Sequence, residues 1–280
     1  MPEPPVTKPI GSPFIELRSV DSTNNYAREQ ILASRGSNLP VSQAVAAHGT
    51  VFFAHEQSAG KGQRGKVWAS QPGVNIMMSI LVKPEGIPLA EQFRLSACVA
   101  VAACDVFMKY GGEETKIKWP NDLYWQDRKA GGILIENIIR SGEQPGAVSH
   151  EPKAIASLRS QWEWSIIGIG ININQPHFPA DLPNPVSLKQ ITGKDFDTIA
   201  LAKELCGILD KKFRELITDG FGNIYEQYLS HLYKRNEKVR LRKDNRVFEA
   251  VVKTITTTGK LVVQHSIEEE FDFGAVEWVP

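Results

Sequence analysis

Two breaker-free apolar runs, residues 50–54 (TVFFA) and 75–82 (NIMMSILV), read as strands, and what joins them limits how this chain can fold. The connecting stretch, residues 56–68 (EQSAGKGQRGKVW), sets Gly60, Gly62 and Gly65 among Lys61, Arg64 and Lys66. Glycine lets a backbone take positive φ and approach a ligand closely, and cations at alternating places suit a compact anion. The stretch reads as a phosphate-handling loop, tied to a sheet at both ends, that orders when its ligand arrives. A solvated glycine turn on a hairpin is the plainer alternative. A nucleotide-binding P-loop does not fit: residues 60–67 match G-x-x-x-x-G-K but place Val67 where magnesium needs Ser or Thr. The turn-forming Ala69-Ser70-Gln71-Pro72-Gly73 also follows where a helix must receive the phosphates.

The remaining chain supplies elements around that loop. Proline-rich residues 1–13 read as a disordered lead. A strand at 14–17 precedes Ser22, Thr23 and Asn24, which either cap a helix to about Leu32 or present short hydrogen-bonding groups at a strand-to-helix junction. Residues 89–110 read as a core helix stopped by Gly111-Gly112. A strand at 115–119 ends at Pro120; Asn121-Asp122 turn the chain, residues 126–128 form a hairpin tip, and a strand runs over 133–136. Lys118, Asn121, Asp122 and Lys129 thereby gather at the ends of adjacent strands, more than scattered solvated charges require. Residues 141–158 read as a long surface loop, 162–174 as a buried strand opening into a Gly168-x-Gly170 turn, and 175–187 as an extended proline-rich loop. Asp195 or Asp197 caps a helix to about Thr218, another helix covers about 223–233, and short strands at hairpin spacing fill a small β-domain over 236–280.

Composition removes several classes. Lys+Arg and Asp+Glu both total 32 in 280 residues, so no global field gathers nucleic acid or anionic membrane. The N-terminus lacks a signal-peptide apolar core, and the longest largely apolar run, 95–108, is too short to span a bilayer and contains Asp105. The three cysteines form no C-x-x-C, which leaves buried reduced thiols and a cytoplasmic location as the expectation.

The motifs together resemble the biotin protein ligases. The family's glycine-arginine loop, GRGRRGRxW, stands here as GKGQRGKVW at 60–68; KWPNDL is 118–123; KxxGIL(V/I)E is 129–136; GxGIN is 168–172; DSTN is 21–24. The resemblance implies an α+β catalytic domain over 14–235, with a mixed, largely antiparallel sheet and packed helices like a class II aminoacyl-tRNA synthetase. It also implies an SH3-like β-barrel over 236–280. The implied reaction joins biotin to ATP as biotinyl-5′-adenylate, then passes biotin to a lysine of a biotin carboxyl carrier domain. Arg64, Lys129 and Lys118 are the catalytic residues that follow. Biotin falls to Ser22, Thr23, Asn24, Gln57, Gly62, Gln63, Arg64 and Lys129. The nucleotide falls to Arg64, Trp68, Lys118, Asn121, Asp122, Lys129 and Asn172, with Trp68 either a packed anchor or an adenine stack. Asp122 and Asn121 meet ribose, phosphate or Mg²⁺, with Asp122 as the candidate metal ligand.

Departures are part of the reading. Lys61, Gln63 and Lys66 replace family arginines, leaving Arg64 as the loop's only guanidinium and predicting weaker adenylate retention. The dozen or so residues ahead of the first strand leave no room for a DNA-binding helix-turn-helix, so repression is not expected. The resemblance allows a homodimer. A lipoate ligase or octanoyl transferase is the nearest rival; a non-catalytic nucleic-acid-binding module conflicts with the neutral charge balance, and a protein-binding scaffold ignores the first two thirds of the chain.

Overall fold

The computed structural model describes residues 8–35, 46–140, 161–180 and 182–279. Seven strands form the main sheet in the order β1-β2-β3-β7-β6-β5-β4: β1 Phe14–Leu17, β2 Val51–Ala54, β3 Ile76–Val82, β4 Thr115–Lys118, β5 Asp122–Trp125, β6 Arg128–Arg140 and β7 Gln161–Ile171. Only β1 and β2 run parallel; every other pair is antiparallel. The sheet is therefore mixed and largely antiparallel, as the sequence predicts. Among the described residues five helices accompany it: α1 Thr23–Arg35, α2 Phe93–Gly111, α3 Leu188–Thr192, α4 Thr198–Thr218 and α5 Gly222–Ser230. Among the described residues no helix is long and apolar enough to cross a membrane.

Side chains alternate across a strand, and the alternation assigns the two faces. Ile76, Met78, Ile80 and Val82 of β3 join Ile167, Ile169 and Ile171 of β7 in a large core that includes α2 and α4. Leu81, Trp164, Ile166 and Ile138 face the other way and pack with Ala27 and Ile31 of α1. Helix α4 starts where Asp197 Oδ1 accepts from the amides of Ile199 and Ala200 at 2.9 and 3.0 Å, satisfying donors that a helix start leaves free. Gly112, at φ 86°, stops α2 in a conformation that side-chain-bearing residues resist.

A second sheet, in the order β11-β10-β9-β8-β12, is antiparallel throughout: β8 Lys238–Lys243, β9 Arg246–Ile255, β10 Leu261–Gln264, β11 Glu268–Phe271 and β12 Glu277–Val279. Strands β11 and β12 occupy its edges, so the order describes an open sheet where a closed barrel is expected. Its apolar residues continue the large core, and Trp119 Nε1 donates to Gly259 O at 2.8 Å across the junction.

Several boundaries differ from expectation. The chain is already tied down at Ile10, which is buried and whose amide donates to Asp210 Oδ1 at 2.8 Å, and the Gly11 amide donates to Gly49 O. One apolar side chain among prolines is enough when a carboxylate waits for its amide. Strand β6 runs unbroken through Lys129, Ala130, Gly131 and Gly132, and Gly168 and Gly170 lie inside β7 instead of making a turn. The short helix α3, closed by a Ser187–Gln190 capping box, carries no strong sequence period. The expected surface loop at 141–158 lies outside the described residues.

Cys98, Cys104 and Cys206 are all buried, and burial pushes each thiol up to about 12. A water-soluble disulfide reagent at pH 8 is expected to modify none of them in the folded protein and all three after denaturation. Stoichiometric modification under native conditions would contradict this burial.

Candidate active site

Register builds the floor of the site. Across five neighbouring strands, Met77 of β3 pairs with Gly170 of β7, Gly170 with Gly132 of β6, Gly132 with Asp122 of β5, and Asp122 with Lys118 of β4. In the next row Ser79 faces Gly168, which faces Leu134. With strands about 4.8 Å apart, glycines at the centre of these rows form the floor of a trough on the α1 side of the sheet, on which the side chains of Asn24, Trp68 and Lys129 lie directly.

Two of those glycines are required by what sits above them. A Cβ at Gly170 would come 2.5 Å from Cε2 of Trp68 and 2.9 Å from its Nε1. A Cβ at Gly168 would come 2.4 Å from Asn24 Oδ1. Trp68 is the packed anchor of the glycine loop, and its buried Nε1 has no partner among the described residues. The loop is closed on itself by the Lys61–Val67 bridge and by hydrogen bonds from Gly62 N to Lys66 O and from Trp68 N to Gly60 O.

One end of the trough is a buried polar cluster at the start of α1. Ser79 Oγ lies 2.8 Å from Thr23 Oγ1 and donates to Asn24 Oδ1 at 2.6 Å. Asn24 Nδ2 donates to Glu136 Oε2 at 2.7 Å, and Arg28 and Lys61 reach Glu136 Oε1 at 3.1 and 4.0 Å. Gln57 Oε1 accepts from the Thr23 amide at 2.7 Å and from its hydroxyl at 3.0 Å, so Gln57 also serves as a long-range cap for α1. Ser22 is buried beside it. A cavity of about 420 Å³ opens here, lined by Gly60, Lys61, Gly62, Lys66, Leu134 and Glu136 among others. A cavity of about 490 Å³ elsewhere, between Arg35, Ile139, Arg140 and Glu163, holds none of the motif residues.

The other end carries the cations. Lys129 Nζ donates to Asp122 Oδ2 at 2.7 Å, with both side chains about one-third exposed. Lys118 Nζ lies 3.2 Å from Tyr124 Oη and 4.4 Å from the centre of that ring. Burial pushes the Lys118 ammonium down to about 8; Asp122 and Asp127 act against that shift, and Lys129 and Lys66 act with it. Gln63 spans the two ends, its Nε2 donating to Asn121 Oδ1 at 2.6 Å and to Ile133 O at 3.1 Å, while Asn121 Nδ2 donates to the same carbonyl at 2.9 Å.

Two expected ligand contacts are placed differently. Arg64 does not line the loop-side cavity: at φ 56°, a left-handed conformation that costs a side-chain-bearing residue about 1 kcal/mol, it donates to Gly274 O, in the turn between β11 and β12, at 3.0 Å. Asn172 donates its amide to Val186 O at 3.1 Å and to Lys129 O at 3.4 Å, so it braces the strand that carries Lys129. Sequence reasoning also passed over Ser79 and gave Glu136 no role. Ser79 is a lone hydroxyl in an apolar run, and a fully buried serine is the only trace it leaves in the sequence.

Residues 18–149 match the model of the Biotin/lipoate A/B protein ligase family. A bifunctional ligase/repressor BirA of Bacillus spizizenii is 32% identical over 261 residues, covering 92% of this chain and 71% of the relative. The chain belongs to the biotin/lipoate protein ligase family. A biotin–[acetyl-CoA-carboxylase] ligase of Paracoccus denitrificans is 29% identical over 218 residues, 76% of this chain and 82% of that one. In fold, the chain resembles the biotin protein ligase from Aquifex aeolicus in complex with biotin and ATP, with a TM-score of 0.72, 22% identity, and coverage of 95% and 98%.

Proposed function

We propose that this protein is an ATP-dependent biotin–protein ligase, which activates biotin as biotinyl-5′-adenylate and transfers it to a lysine of a biotin carboxyl carrier domain. The observation that carries the reading is the trough: a glycine-floored groove with a buried hydrogen-bonding cluster at one end and two lysines at the other, covered by a cationic loop. Family membership and the relatives named as biotin ligases support it.

A ureido ring presents two donors and one acceptor. Thr23, Asn24 and Ser79 offer that complement, with Ser22, Gln57, Gly62 and Gln63 bordering it. The acid then extends from this cluster past the Trp68 ring toward Lys129. Attack of a carboxylate on an α-phosphate brings two anions together, and Lys129, Lys118 and Arg64 supply the charge that stabilises their approach. Asp122 holds Lys129 in place, and Asn121 and Asn172 fix the strands on which both are carried. Arg64 reaches the reacting oxygens by leaving Gly274, with Trp68 as the pivot that stays seated. Among the described residues no group of three or more His, Cys, Asp or Glu side chains is placed to hold a metal. Magnesium arrives with the nucleotide, bound largely by phosphates and water, with Asp122, which also holds Lys129, as the candidate protein ligand. We assign residues 14–235 to catalysis and 236–280 to an SH3-like module, in a cytoplasmic protein that meets its carboxylase partner transiently.

Exchange of labelled pyrophosphate into ATP, with biotin, lipoate, octanoate or no acid, tests the reading. Exchange with biotin alone is expected. Exchange with lipoate or octanoate alone moves the activity to the neighbouring branch, and none with any acid from folded protein with magnesium overturns it.

A further inference from the structure

Lys118 is enclosed in a way that neither the sheet nor the glycine loop explains. Its ammonium lies 4.4 Å from the ring centre of Tyr124, 5.0 Å from that of Trp278 and 5.6 Å from that of Tyr233. The three rings touch in turn, Tyr124 with Tyr233 at 5.1 Å and Tyr233 with Trp278 at 5.8 Å. Tyr124 belongs to β5, Tyr233 follows α5, and Trp278 is carried on β12 of the second sheet. We propose that Trp278 is a positioning residue for adenylation, closing the third wall of an aromatic cage that holds the Lys118 ammonium at the end of the trough. The proposal rests on reading the trough as an adenylating site.

Three observations favour a cage over ordinary packing. All three ring centres lie within about 6 Å of one ammonium, the range in which a ring face attracts a cation, and tryptophan is the strongest partner. Trp278 Nε1 is buried without a partner among the described residues, so the indole is kept at a cost that phenylalanine or leucine would avoid. Its face, not its N–H, is what the site uses. Tyr233 is fixed by its hydroxyl on Asp127 Oδ1 at 2.7 Å, so the cage wall does not drift. A lysine carries a flexible four-carbon stem, and the cage removes freedom that would otherwise be lost when ATP binds. The second sheet thus takes part in the reaction through a lysine of the first.

The test uses the full chain with Trp278→Leu and Trp278→Phe. The leucine variant is expected to raise KM for ATP in biotin-dependent exchange about tenfold with KM for biotin unchanged, and phenylalanine is expected to recover most of the loss. In parallel, native labelling by an amine-reactive reagent, read by mass spectrometry, is expected to rise several-fold at Lys118 in the leucine variant only. Unchanged KM and labelling in Trp278→Leu overturn the proposal, as does a phenylalanine variant as impaired as the leucine one. If Trp278→Leu does not fold, Tyr233→Leu, which removes another wall, decides: an unchanged KM for ATP in that variant overturns the cage. Absence of exchange in the unaltered protein overturns the proposed function, while the labelling arm still reads the cage.

Discussion

Alanine at Lys129 is expected to lower biotin-dependent pyrophosphate exchange by about 10²–10³-fold, the usual effect of deleting one donor to a charge-developing centre. In the proposed function Lys129 stands where the carboxylate must meet the phosphate, and its partner Asp122 lies 2.7 Å away on the neighbouring strand. Removing the ammonium does two things at once. It takes away a positive charge, and it frees a carboxylate that then repels both anionic substrates. The double variant Lys129→Ala/Asp122→Asn is therefore expected to recover part of the loss, about tenfold. Folding should change little, because both side chains are about one-third exposed and partly exposed ion pairs contribute about 1 kcal/mol or less. A Lys129→Ala rate within tenfold of the unaltered protein would remove Lys129 from the catalytic set.

Gly170→Ala is the second large effect, and it reaches the loop from beneath. The added methyl lands 2.5 Å from the Trp68 ring, inside van der Waals contact, so either the indole or strand β7 must move. Overpacking of this kind costs about 1–3 kcal/mol. Trp68 is the only part able to yield, since β7 is paired on both sides by β3 and β6. The expected outcome is a glycine loop without its anchor: KM for ATP rises about 10–100-fold, and protease cleavage within residues 60–68 accelerates. Thermal unfolding should shift by only a few degrees. A variant with normal kinetics, or one whose whole fold is lost, would show that the indole does not seat the loop.

These two positions show what the sequence could and could not reveal. The glycine loop, β3, the long helix with its Asp197 cap and the hairpin array at the C-terminus were all legible, because each is a local pattern of period, cap or turn. The motif lysines were legible as types. That Lys118, Asp122, Gly132 and Gly170 share one row was not, since strand order and register are settled by contacts between distant segments. The same gap explains the misreading of Gly168 and Gly170. In isolation G-x-G suggests a bend, and only the side chains of Asn24 and Trp68, more than a hundred residues away, explain straight glycines in a strand. Ile10 failed for a related reason, because its burial depends on Asp210. The Arg64 contact with Gly274 was not legible either, since the turn between β11 and β12 lies more than two hundred residues from its own loop.

The glycine floor has a consequence for how tightly this groove can hold a guest. A surface made of side chains must freeze rotamers when something lands on it, at up to about 2 kcal/mol for each long one. Peptide groups locked into a seven-stranded ladder have no rotamers to freeze. Asn24, Trp68 and Lys129 rest on Gly168, Gly170 and Gly132, a template that is already still, so the side chains that meet a guest there are held in advance and bind it with little entropic loss. By the same token, selectivity between long thin guests of different chemistry is absent from the middle of the trough. It has to come from the two ends, where the first residues of α1 and the strand tips with their lysines act as the jaws of a gauge that measures length.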